Sequence, residues 1–232
     1  TATGYVKRTS PAAYRAQHRG GRGVLGMRTK DDDYVEHIFV ASTHDTLLFL
    51  TASGMCHWLK VYRIPEGDRT GRGRPLVNLL NVKDEEICAV VPVADFSQGF
   101  LLTATRNGIV KKTALSAYKN VRRDGIIALK CGEDDHLIGA TITSGNQDIM
   151  LITRQGKAAR FHESEARALG RVSGGVKGIR LRQGDEVSQL VVPEEDVGDS
   201  TLLTVCEHGY GKRTLMHDYP TKHRGGMGVI DI

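Results

Sequence analysis

The sequence predicts an all-β fold, a propeller-like disc of four-stranded blades. Three observations predict it: an internal repeat of about fifty residues, short aliphatic strands joined by glycine turns, and the lack of a long amphipathic helix. The repeat is clearest as glycine, two residues, two cations and threonine, in Gly4-Tyr-Val-Lys7-Arg8-Thr9, Gly108-Ile-Val-Lys111-Lys112-Thr113 and Gly209-Tyr-Gly-Lys212-Arg213-Thr214. A tyrosine follows each of these glycines by ten residues, at Tyr14, Tyr118 and Tyr219. Weaker copies around Gly54 and Gly156 fill the gaps, so the anchor glycines are spaced by 50, 54, 48 and 53 residues. A second glycine follows 19 residues after four anchors, at Gly23, Gly73, Gly175 and Gly228, and slightly sooner at Gly125. These markers divide residues 1–232, expected to form one domain, into units of approximately 1–46, 47–99, 100–148, 149–200 and a partial 201–232.

Each element of a unit has its own local reason. Leu47–Leu50, Phe100–Thr103, Ile149–Thr153 and Thr201–Val205 are short β-branched or aliphatic runs bounded by turn residues, which favours strands. Ser53-Gly54, Asn107-Gly108, Gln155-Gly156 and His208-Gly209 follow these runs directly and precede another short strand. Each is expected to close a hairpin in which glycine supplies a positive φ. Ser164–Leu169 is expected to form at most one helical turn.

Composition bounds the function. Forty per cent hydrophobic residues in a 232-residue chain with mean hydropathy −0.29 describe a globular protein able to bury a core. No apolar run, Ile87–Ala94 included, approaches the roughly 18 residues that a spanning helix requires, and no signal-peptide pattern opens the chain. A cytosolic protein without membrane contact is therefore expected. Cys56, Cys88, Cys131 and Cys206 are too widely spaced for a metal knuckle or a disulfide framework, and are expected to be reduced and mostly buried. The nine histidines show no His-x-x-x-His spacing, so no metal ligand is assigned. No Walker A loop, nucleophile elbow or catalytic acid pair is present, and no catalytic residue is assigned.

Charge carries the strongest functional signal. All 32 Lys and Arg residues fall in the windows 7–30, 60–83, 106–130, 154–182 and 212–224, and the stretches outside them hold 21 of the 27 acidic residues. The alternation has the period of the repeat, so every blade should present its basic segment at an equivalent place and the disc should carry a positive rim. The acidic runs Asp31-Asp32-Asp33, Asp84-Glu85-Glu86, Glu133-Asp134-Asp135 and Glu194-Glu195-Asp196 read as solvated turns that repel DNA from the wrong face. A periodic positive arc suits duplex DNA, whose phosphates could be met repeatedly along a bend. With no recognition helix or zinc finger, binding should be largely independent of base sequence.

Candidate DNA contacts from the basic windows are Lys7, Arg8, Arg15, Lys60, Arg63, Arg69, Arg72, Arg74, Lys111, Lys112, Lys119, Arg122, Arg123, Lys157, Arg160, Arg171, Lys177, Lys212, Arg213, Lys222 and Arg224. Adjacent cations on a strand point to opposite faces, so one of each pair Lys7/Arg8, Lys111/Lys112 and Lys212/Arg213 is expected to face DNA. The competing reading is a solvated edge-strand lysine. For Tyr14, Tyr118, Tyr219 and Trp58, packing between blades outweighs stacking on sugars. The densest stretch is Gln17-His18-Arg19-Gly20-Gly21-Arg22-Gly23, in which glycines admit phosphate to backbone N–H groups and arginines can fork onto it.

Residues 17–23 match the motif Gln-Arg-Arg-Gly-Gly-Arg-Gly at six of seven positions. The likeness extends to Gly4-Tyr-Val-Lys-Arg8, Gly73-Arg-Pro-Leu-Val-Asn-Leu-Leu80 and Ala104-Thr-Arg-Asn-Gly-Ile-Val-Lys-Lys-Thr113. On these residues the chain resembles the C-terminal domain of the DNA gyrase A protein. The resemblance implies a β-pinwheel, whose blades exchange strands with their neighbours, and a box at Gln17, His18, Arg19, Gly20, Gly21, Arg22 and Gly23 needed for wrapping DNA. It also implies a bacterial cytoplasmic, chromosome-associated protein. The domain itself would use no cofactor, whereas the holoenzyme would need ATP and Mg2+. The partners implied are double-stranded DNA, the N-terminal part of gyrase A with its cleavage tyrosine, and the ATP-hydrolysing gyrase B. His18 replaces a permanent charge with a group of pKa about 6.5, so wrapping is expected to be weaker or pH-sensitive. The chain is expected to be a monomeric fragment lacking the last blade. Two other readings stay open: the C-terminal domain of topoisomerase IV, and a propeller that binds acidic proteins.

Overall fold

The computed structural model describes residues 1–14, 23–82, 85–120, 122–193 and 198–232. The described strands are β1 (Tyr5–Val6), β2 (Thr46–Thr51), β3 (Met55–Lys60), β4 (Arg74–Pro75), β5 (Ile87–Val93), β6 (Phe100–Thr105), β7 (Ile109–Ala114), β8 (Ile126–Ile127), β9 (Leu137–Thr143), β10 (Asp148–Thr153), β11 (Lys157–His162), β12 (Val176–Lys177), β13 (Val187–Val191), β14 (Thr201–Val205), β15 (Gly211–Leu215) and β16 (Val229–Ile230). No α-helix occurs among the described residues, and the turn expected in Ser164–Leu169 is a 3-10 turn at Glu163–Glu165.

Three sheets have four strands, in the orders β5-β2-β3-β8, β9-β6-β7-β12 and β13-β10-β11-β16. The first three strands of each come from one repeat, with a short strand (β4, β8 or β12) between them in the chain that pairs with the preceding blade, whereas the fourth is borrowed from the following repeat. Thus Met55 and Cys56 pair with Ile127 and Ile126, Val110 and Ile109 with Val176 and Lys177, and Lys157 and Ala158 with Ile230 and Val229. β1 and β4 pair in the same way. This is the exchange of strands between neighbouring blades. β5 packs against β9 and β9 against β13, so these strands form the inner edge, and the borrowed strands lie at the outer edge.

The anchor turns hold the exchange in place. Gly54 takes φ +87°, as the hairpin requires, and its carbonyl accepts hydrogen bonds from the N–H groups of Ala128 and Leu129, just past β8. The Gly108 carbonyl accepts from Gly178 and Ile179, that of Gly4 from Leu76, and that of Gly156 from Asp231. The second glycine of a repeat lies against the preceding blade. At Gly175, with φ +84°, an added Cβ would stand 2.7 Å from both the Val110 carbonyl oxygen and an Ile109 methyl.

Alternate residues of the central strands enter different cores. Leu47 and Phe49 pack with Leu59, Val61 and Leu76, while Leu48 and Leu50 pack with Leu101, Leu115 and Tyr118 of the next blade. Ile149 and Leu151 likewise face back towards Leu102 and Val110, and Met150 and Ile152 forward towards Met216 and Tyr219. Burial on both faces explains why all six residues of Thr46–Thr51 are buried and why the run reads as continuously apolar. Tyr118 and Tyr219 are buried between blades, while Tyr14 remains exposed. Of the cysteines, only Cys56 is buried, the other three are half-buried, and all four are free.

Replacing Gly175 by Ala should destabilise the domain by about 2 kcal/mol or more, because positive φ alone costs roughly 1–2 kcal/mol and the new methyl meets backbone. Gly170, which has open space around it, should tolerate alanine with little change. Denaturant titration of the two variants measures the contrast.

Candidate nucleic-acid interface

The basic windows fall on the strand that follows each anchor hairpin and on the loop leading to the borrowed strand. The structure separates their cations into two groups, those consumed in joining blades and those left at the surface.

The first cation of each pair caps carbonyls. Lys7 Nζ donates to the Gly26 carbonyl at 2.8 Å, Lys212 Nζ to that of Asp231 at 2.9 Å, and Lys111 Nζ to that of Ala128. Each acceptor lies three residues past the second glycine of the same repeat. Lys7 and Lys111 also reach the next repeat, donating to Asp68 and Arg69 carbonyls and to Arg171 and Ser173 carbonyls respectively. Burial, with the nearby charge of Arg171, pushes the Lys111 amine down to about 8. His57 occupies this position in the second repeat, and its ring lies against Gly125. Burial lowers its pKa.

The second cation binds the turn of the next repeat. Arg8 donates from Nε to the Ile64 carbonyl at 3.2 Å and pairs with Glu66 at 3.2 Å. Lys112 donates to the Glu163 carbonyl at 2.9 Å and lies 3.6 Å from its carboxylate, itself fully buried and bonded to the N–H groups of Gly145 and Gln147. Arg160 donates to the Met216 carbonyl and to Asp148, both at 2.7 Å.

A third tie runs backwards. The arginine fifteen residues after an anchor donates from its guanidinium to the carbonyl two residues past the preceding repeat's second glycine: Arg69 to Leu25, Arg171 to Ile127 and Arg224 to Lys177. Arg224 also presents its backbone N–H to Glu165, which holds that carboxyl below its ordinary value.

These ties correct the expectation of a DNA-facing cation for the pairs Lys7/Arg8 and Lys111/Lys112, whereas Arg213 of the third pair stays exposed. Lys111 and Lys112 are 1% and 6% exposed, because both faces of β7 are covered, one by its own blade's returning chain and the other by the next repeat. Lys7, Arg8 and Arg160 are half-buried with their charged groups on protein acceptors, and Lys212 is exposed but tied to Asp231. Lys60 donates to the His44 carbonyl at 3.0 Å, and Lys157 is half-buried on β11.

The exposed candidates are Arg63, Arg72, Arg74, Lys119, Arg122, Arg123, Lys177, Arg213, Lys222 and Arg224. Arg74 lies in β4 and Lys177 in β12, while Arg72 and Arg122–Arg123 stand on the loops leading into β4 and β8, so these cations sit at the outer edge. Arg15, Gln17, His18, Arg19, Gly20, Gly21 and Arg22 lie outside the described residues, and Gly23 is exposed with φ +71°.

The acidic runs have a structural duty that their charge did not disclose. Asp33, Asp135 and Asp185 each accept from the N–H of the residue before an anchor glycine, namely Thr3, Asn107 and Gln155, at 2.9, 2.9 and 3.0 Å. Glu85 accepts from the Ser53 hydroxyl at the same place. Glu194, Glu195, Asp196 and Asp84 lie outside the described residues. No group of His, Cys, Asp and Glu able to hold a metal ion occurs among the described residues.

The family model described as "DNA gyrase C-terminal domain, beta-propeller" matches residues 1–42, 45–93, 99–144, 147–194 and 200–232. The chain belongs to the DNA gyrase C-terminal domain family. It is 46% identical to the DNA gyrase A protein of Escherichia coli K12 over 99% of this chain and 26% of that protein, and 44% identical to its counterpart from Buchnera aphidicola over 98% of this chain and 27% of that protein. The chain therefore spans about a quarter of these relatives. Among solved structures, a topoisomerase IV C-terminal domain superposes with TM-score 0.82 at 30% identity, covering 99% of this chain and 70% of that one. A gyrase A C-terminal domain gives 0.79 at 27%, covering 98% and 73%. The gyrase-family fold is thus shared with topoisomerase IV, and no helix among the described residues is long and apolar enough to cross a membrane.

The Lys111 tie has a pH signature. Its folded pKa lies below the ordinary 10.5, so between about pH 8 and 10.5 the unfolded chain binds more protons and stability rises with pH. Lys111→Met should remove that rise and lower stability at neutral pH, since the Arg171 and Ser173 carbonyls lose their donor and that of Ala128 keeps only the Tyr118 hydroxyl. Denaturation of both proteins across pH 7–10 measures the difference.

Proposed function

We propose that this domain binds duplex DNA along its outer rim and bends it, with little dependence on base sequence, as the wrapping module of a gyrase that introduces negative supercoils. The observation that carries the reading is the placement of Arg72, Arg74, Arg122, Arg123 and Lys177 beside successive borrowed strands at the outer edge. Phosphates met at several blades in turn can offset a bend that costs on the order of 1–6 kcal/mol per 20–30 base pairs. Arg19 and Arg22, at the box, secure the first contact.

In this reading the chain contributes no catalytic group. Strand cleavage belongs to the N-terminal part of gyrase A, and ATP hydrolysis, with Mg2+, to gyrase B. The domain acts in the bacterial cytoplasm. A topoisomerase IV domain is the second reading, favoured by the fold similarity at TM-score 0.82. The box core Arg19-Gly20-Gly21-Arg22-Gly23 and the 46% identity to a gyrase A protein support the first.

Sealing nicked circular plasmid in the presence of increasing amounts of the domain should shift the linking number in one direction. Binding without a shift would favour the topoisomerase IV reading. Arg19→Ala with Arg22→Ala should reduce the shift more than it weakens binding. If four or five blades each neutralise about two phosphates, the log–log salt slope should be roughly −7 to −9, and a slope near −2 would sink the multi-blade mechanism.

A further inference from the structure

We infer that the phosphate sites of the rim straddle the blade junctions, each completed by a cation of the preceding repeat: Arg28, Lys130 and Arg180. This rests on the DNA-binding reading above and assigns it residues outside the expected set.

The three cations occupy one register, five residues past the second glycine of their repeats, and all are exposed. Their backbones lie beside the glycine loop of the next repeat, those of Arg28 and Arg180 bonded to it. Arg28 N–H donates to the Thr70 carbonyl at 3.0 Å, next to Gly71-Arg72-Gly73. Arg180 N–H donates to the Gly226 carbonyl at 2.8 Å, and Gly225 N–H returns to the Gly178 carbonyl at 2.6 Å. The Lys130 carbonyl stands 3.6 Å from where a Cβ on Gly174 would be. A fourth junction has Asn78 in this register, which keeps the polarity without the charge.

Within the loops the guanidinium groups of Arg69, Arg171 and Arg224 are already engaged with carbonyls of the preceding repeat. Among the described residues the side chains of Arg28, Lys130 and Arg180 make no hydrogen bond or ion pair. Glycines that admit a phosphate oxygen to the backbone and an unengaged cation held next to them by the docked repeats form a site for a phosphodiester. Since both halves come from different repeats, the site exists only where two blades are docked.

The test is the salt dependence of linear duplex DNA binding by the full-length protein carrying this domain. Lys130→Ala with Arg180→Ala should leave thermal stability unchanged and reduce the magnitude of the log–log slope by about two, one for each phosphate released. Lys130→Arg with Arg180→Lys should restore it. Arg106→Ala with Arg154→Ala removes equal charge from two residues held near Glu186, and should change the slope by less than half as much. An unchanged slope in the first double variant, or an equal fall in the second, overturns the inference while leaving DNA binding by the domain intact. A wild-type slope near −2 would instead overturn the rim reading, and this inference with it.

Discussion

The hydrogen bonds accepted by the anchor-glycine carbonyls fix everything else in the disc. Through them the hairpin of one blade grips the chain just past the strand it has borrowed, at Gly4, Gly54, Gly108 and Gly156 alike. The glycine must adopt positive φ to turn the hairpin, and at Gly54, Gly108 and Gly156 it must also lack a side chain, because the borrowed segment passes directly over it. Two constraints on one residue account for the regularity of the repeat better than either alone.

Once the blades interlock, both faces of β2, β6 and β10 are covered, and polar groups that an ordinary sheet would leave to water are enclosed. The buried carbonyls at the junctions then need donors. Lysine and arginine supply them from three registers, with reach enough to cross from one repeat to the next. Much of the basic character of the chain is thus cohesive, and the charge available to a polyanion is the remainder, gathered at the outer edge. The acidic residues are divided similarly, with Asp33, Glu85, Asp135 and Asp185 closing the hairpin turns.

The sequence disclosed a good part of this. Hairpins at Gly54, Gly108, Gly156 and Gly209 followed from local patterning, and the apolar runs before them are strands. The exchange of strands was implied by the resemblance, but not which residues are exchanged, because each borrowed strand has two residues and its partner lies about 70 positions away, beyond any periodicity in a window. Lys111 and Lys112 were misjudged because the alternation of faces along a strand presupposes that one face is open. Lys7, Lys111 and Lys212 stand at one offset from their anchor glycines and Arg69, Arg171 and Arg224 at another, and each set reaches carbonyls that are equally fixed in the repeat.

Borrowing also sets a clock on biosynthesis. A blade whose last strand is encoded about 70 residues downstream cannot close until that stretch has left the ribosome, a wait of roughly 4–14 s at about 5–20 residues per second. Throughout that time the outer edges of β3, β7 and β11 are unpaired, each open to whichever strand arrives first. Because the repeats resemble one another, the wrong repeat could fill the gap, and sequential emergence is what gives the correct neighbour its advantage.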